Sequence, residues 1–181
     1  MNSYSTLLRH VVAIVLVWSA HYSAMRTLEF TAPNLVAATP KIITSGQPTA
    51  DALQLLGTQK FDAVVFLVPD GTSGNVKDEA AILKRQGIHY LHIPIPFGAP
   101  TAQHYHTFAD AMSKLTGKKV LVHCEINLRA SSMVFLYRTT ALKEDPDVAY
   151  ASVVNVWSPR GAWKPYIETM LSKHKIKFAT F

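Results

Sequence analysis

The sequence is short of the residues that would place it in several large classes. It has one cysteine in 181 residues, which excludes an internal disulfide framework and any cysteine-based zinc cluster. Charged residues are only 17% of it, against 49% hydrophobic and 10% aromatic. A disordered chain shows the opposite balance. Acidic residues are the scarcer sign, 12 against 18 Lys and Arg, for a net charge of +6. That charge favours anionic partners, but the lysines are dispersed. The densest group, Lys173, Lys175 and Lys177, reads as a solvated tail, so no nucleic-acid partner is expected. No apolar run approaches the roughly 20 residues a spanning helix requires, so no stable membrane span is expected either.

What is present fits one domain with one sizeable core. Residues 1–24 stand apart from the rest. Arg9 and His10 lead into a mostly apolar stretch over residues 11–20, with the small residues Ser19 and Ala20 at its end and Ser23 and Ala24 just beyond. That pattern is expected of a signal peptide, with residues 25–181 as a single exported domain, periplasmic or secreted. In an oxidising compartment a lone thiol is either buried and inert or reactive.

From residue 41 strands and helices alternate. Residues 41–44, 63–68, 89–95 and 119–123 read as strands, the second an unbroken apolar run suited to burial on both faces. Helices are expected from Thr49 to Leu56, from Val76 to Gln86 with Gly87 as the stop, and from Thr101 to Leu115. Three more are expected over residues 129–142, 145–157 and 162–174. Repeated strand–helix units imply an α/β fold with a parallel or mixed sheet covered by helices on both faces. Sites in such sheets lie at the carboxyl ends of the strands. Cys124 stands at one such end, and Asp70 and the loop at Pro96 follow two others.

Residues 120–132 carry the sharpest signal. A hydrophobic strand delivers Cys124 to a short loop, and a helix begins near Arg129. A helix N-terminus and a loop's N–H groups favour negative charge, whether a thiolate or an oxyanion. An arginine there can add a bidentate contact to a tetrahedral anion. One arrangement thus provides a nucleophile and a site for its electrophile, as covalent phosphate transfer through a phosphocysteine requires. Glu125, Ile126, Asn127, Leu128, Arg129 and Ala130 form the candidate phosphate-binding loop. The alternative is a buried cysteine ahead of a helix, with Arg129 at the surface.

His123-Cys124 followed by Arg129 resembles the signature of cysteine-dependent phosphatases of the dual-specificity type. Thr44-Ser-Gly-Gln-Pro-Thr49, Phe66-Leu-Val-Pro-Asp-Gly71, Ile93-Pro-Ile95 and residues 123–131 together resemble a bacterial branch also found fused to β-lactamase-like hydrolases. The resemblance covers about residues 41–157. It implies a cysteine phosphatase-like fold, hydrolysis of phosphomonoesters on a phosphorylated protein or small molecule, no cofactor, and His123 as the residue that orients the loop. It leaves the oligomeric state open.

Two departures shape the alternatives. Four residues separate Cys124 from Arg129, where ordinary tyrosine and dual-specificity phosphatases have five. The short loop recurs in the bacterial branch, but rhodanese-type sulfurtransferases also use one, with a persulfide on the cysteine. The family's general-acid aspartate also has no counterpart here, since Pro96 occupies its expected place. Asp70 is the candidate substitute, or else a turn residue before Gly71. A non-enzymatic anion-binding module is therefore the third reading. Ser131 or Ser132 is expected either to hydrogen-bond the thiolate or to sit in the first helical turn. Glu125 is expected to point outward. His104 with His106, and His89 with His92, face different ways, so no metal site is expected.

Overall fold

The computed structural model describes residues 30–179; the expected signal segment lies outside them. Its sheet has five strands: β1 (Val36–Ala37), β2 (Ile42–Ser45), β3 (Ala63–Phe66), β4 (His89–His92) and β5 (Val120–His123). They lie in the order β1-β2-β5-β3-β4. Strand β1 runs antiparallel to β2 and the other pairings are parallel. The sheet is therefore mixed, with β5 at its centre. Among the described residues six helices accompany the strands: α1 (Ala50–Gln54), α2 (Glu79–Arg85), α3 (Ala102–Lys114), α4 (Leu128–Thr140), α5 (Pro146–Val154) and α6 (Trp163–Lys173).

The two-residue period of the strands divides the interior into two cores. Ala63, Val65, Val120 and Val122 pack with α3, α4, α5 and α6 on one face. Val64, Leu121 and Ile43 pack with Leu53 and Leu56 and with Ile82 and Leu83 of α2 on the other. Helix α4 is enclosed by sheet and helices, so that every residue from Arg129 to Thr140 is buried. Arg138 ties it to its surroundings. Arg138 bonds both carboxylate oxygens of Glu144 at 2.8 and 2.6 Å, and its Nη1 donates to Ala149 O and Ser152 Oγ.

Element ends follow local chemistry. Asp145 caps α5, its Oδ1 accepting from Asp147 N and Val148 N ahead of a Pro at the first helical position, a cap worth about 1 kcal/mol. Thr101 and His104 close a reciprocal capping box on α3, which accounts for His104. The strand expected over residues 89–95 stops at His92 because Pro94 has no N–H to donate. Ile93 N and Ile95 N still bond Phe66 O and Leu67 O. Helix α2 starts at Glu79 and not at Val76, and Gly87 (φ 71°) follows its end in the left-handed region. No described helix is long and apolar enough to cross a membrane.

Candidate functional site

Cys124 follows the last residue of the central strand and is fully buried. Its N–H donates to Ser45 O at 3.2 Å, while His123 O accepts from Leu67 N at 3.0 Å. The backbone that carries the thiol is thus tied to both neighbours of β5.

The loop after it is held by the turn after β2 and by the segment ahead of β1. Gln47 N donates to Glu125 O at 2.9 Å, and Asn34 Nδ2 donates to Ile126 O at 3.0 Å. Gly46 lies so close that a Cβ there would meet Glu125 O at 2.8 Å and Ile126 Cα at 3.1 Å. Only glycine lets the two backbones approach this far. Asn127 completes the loop at φ 72°, a left-handed conformation that Asn tolerates. Its buried amide donates to Asn34 O and Thr44 Oγ1.

Helix α4 opens at Leu128, so its N-terminus faces the loop and brings positive potential to it. Arg129 is buried in its first turn. Its Nε donates to Ile95 O at 2.9 Å, and its guanidinium lies 5.1 Å from the centre of the Phe97 ring. The Nε bond sets the plane of the fork and leaves the terminal nitrogens for an anion, the nearer of them 3.9 Å from Glu125 Oε2. Glu125 itself is turned outward, more than half exposed. The loop carrying Ile95 and Phe97 is fixed from behind, where Trp163 Nε1 donates to Phe97 O at 2.9 Å. Phe97 and Ile126 remain 40% and 49% exposed and give the site apolar edges.

Ser131 does not turn to the thiol. Its Oγ donates to Asn127 O at 2.7 Å and so fastens the loop to the helix; Ser132 Oγ is buried without a protein partner among the described residues. His123 points to the other face of the sheet. Its ring is stacked on Phe66 at 4.8 Å, and Phe66 in turn on His92 at 5.0 Å. His123 Nε2 donates to the buried carboxylate of Glu79 at 2.6 Å, and Gln47 Nε2 donates to the same carboxylate at 3.0 Å.

Asp70 lies in the loop after β3, at the same end of the sheet. Its side chain is 94% exposed, with Oδ1 3.8 Å from His92 Nδ1. The loop in which the family's acid was expected presents Pro96 and Phe97. The structure gathers Cys124, His123, Asn127 and Arg129, which the sequence named, and sets beside them Glu79, Gln47, Gly46, Asn34 and Ile95, which it did not. Gly46, Gln47 and Ile95 lie in the quoted motifs, which was a usable signal; Glu79 and Asn34 carry none.

Comparison with curated proteins gave no match. Among solved structures, a DUF442 protein assigned as a phosphatase, from Shewanella putrefaciens CN-32, superposes with a TM-score of 0.72 at 26% identity, covering 79% of this chain and 94% of that one. Tk-PTP in its active form gives a TM-score of 0.62 at 25% identity, covering 80% and 98%. PTPMT1, at 16% identity and a TM-score of 0.62, covers 78% and 96% and attests the fold alone. All three likenesses agree with a cysteine-dependent phosphatase-like fold. The family described as "DSP-PTPase phosphatase fused to NAD+ Kinase" matches residues 34–159, and the chain belongs to it.

Proposed function

We propose that this chain is an exported cysteine-dependent phosphatase that hydrolyses phosphomonoesters through a phosphocysteine. One observation carries the reading. Cys124 and Arg129 are held on one short loop at the end of the central strand and the start of a buried helix, with the guanidinium fixed by Ile95. In the first step the Cys124 thiolate attacks phosphorus. An S–P bond forms as the ester P–O bond breaks, and the leaving oxygen takes a proton from Asp70. Water then attacks the phosphocysteine and gives a proton to the Asp70 carboxylate; phosphate departs and the thiolate is restored. The loop from Glu125 to Ala130 and the Arg129 fork stabilise the equatorial oxygens, which carry the charge of the transition state.

One observation favours the anion-binding alternative. Among the described residues the exposed Asp70 has an ion contact with His92 alone, and Pro96 cannot donate a proton. Rapid-quench measurement of a phosphate burst, with trapping of the phosphocysteine, tests the proposal beside a thiosulfate–cyanide assay. A trapped S–P adduct on Cys124 is the expected result. Transfer of sulfur to cyanide without an adduct would assign the loop to sulfurtransfer, and neither activity would leave an anion-binding module. Export is tested separately by sequencing the mature N-terminus.

A further inference from the structure

Glu79 is 3% exposed, and its carboxylate sits between two donors. A buried carboxylate gives up much solvation and persists where partners replace the lost water. Here the partners lead to the two residues on either side of the thiol. His123 immediately precedes Cys124. Gln47 holds Glu125, the residue immediately after it, through its own backbone N–H. One carboxylate therefore anchors both residues that border Cys124. It also fixes the ring of His123. Because a carboxylate only accepts, Nε2 carries the hydrogen, and stacking on Phe66 sets the ring plane.

We propose that Glu79 is a positioning residue for Cys124, acting through His123 on one side and through Gln47 and Glu125 on the other. The inference rests on the phosphatase reading and deepens it. The device is geometric. Glu79→Gln preserves it, since the new amide oxygen accepts from His123. The new N–H₂ then faces Gln47, whose Oε1 is buried without a protein partner among the described residues and can turn to accept. Glu79→Ala removes it.

The test compares Glu79→Gln and Glu79→Ala in the full chain, with thermal melts as fold controls. A misplacement of about 1 Å can cost about a hundredfold in rate. Glu79→Ala is therefore expected to lower kcat by about tenfold or more with KM nearly unchanged, and Glu79→Gln to keep kcat within about threefold of wild type. In ¹⁵N-histidine-labelled protein, the slowly exchanging Nε2–H of His123 should persist in Glu79→Gln and vanish in Glu79→Ala. Wild-type kcat in Glu79→Ala, or equal loss in both variants, overturns the proposal. Should Glu79→Ala fail to fold, Gln47→Leu removes one of the two anchors and is expected to lower kcat at constant KM; an unchanged kcat there overturns it as well. Failure of the phosphatase reading is seen differently, as a wild-type protein that forms no phosphocysteine. In that case the rate of Cys124 alkylation by iodoacetamide still decides about Glu79. The rate should change in Glu79→Ala and hold in Glu79→Gln, and an unchanged rate in both rejects the positioning role.

Discussion

Arg129 Nε donates to the main-chain carbonyl of Ile95 at 2.9 Å. The guanidinium is thereby locked to the loop after β4, which is itself held by Trp163 through Phe97 O. The fork is oriented before any anion arrives, so little side-chain entropy is lost when one binds. It also means that the identity of the side chain at 129 matters beyond its charge.

Arg129→Lys is expected to weaken phosphate binding by about tenfold or more while the fold survives. Lysine keeps one positive charge but has neither the Nε bond to Ile95 nor the planar fork that grips two oxygens. Phosphate protection of Cys124 against iodoacetamide gives the affinity, and circular dichroism gives the fold. Undiminished protection would show that the fork does not meet the anion.

Gly46→Ala is expected to damage the loop without touching any reacting group. The added methyl would meet backbone atoms of Glu125 and Ile126 at 2.8 and 3.1 Å, and close-packed backbone does not yield as a flexible side-chain end does. The expected result is a stability loss of about 1–3 kcal/mol together with weaker phosphate protection. A variant with wild-type melting and wild-type protection would show that the loop moves freely.

Asp70→Asn separates catalysis from turn structure. If Asp70 protonates the leaving oxygen, hydrolysis of alkyl phosphates should slow by about a hundredfold or more. Esters with very acidic leaving groups should be nearly unaffected, because their oxygen departs without a proton. Equal loss on both classes of ester would assign Asp70 to the turn beside His92.

Arg138→Met provides a stability control remote from the thiol. Arg138 is buried and joins α4 to Glu144, Ala149 and Ser152. Removing it leaves the half-buried Glu144 without its partner, at a cost of about 3–5 kcal/mol for a well-buried pair and less here. The melting temperature should fall by several degrees, while phosphate protection of Cys124, measured well below the transition, should stay at the wild-type level.

The sequence by itself determined what depends on near neighbours. The apolar runs in Val120–His123 and Ala63–Phe66 specify strands buried on both faces, and a strand, a cysteine and an arginine five residues later specify a loop leading into a helix. Thr49, Thr101 and Asp145 announce helix starts through bonds that span two or three residues. Only the tertiary structure decided which distant groups complete the site. Glu79 meets His123 across 44 residues, and Ile95 O meets Arg129 across 34. Glu79 reads locally as one more acidic residue in a first helical turn, and a backbone carbonyl has no signature at all. Their roles arise because parallel pairing brings the carboxyl ends of β2, β5, β3 and β4 to one edge. Burial there forces each polar group to find its partner among whatever the crossovers deliver.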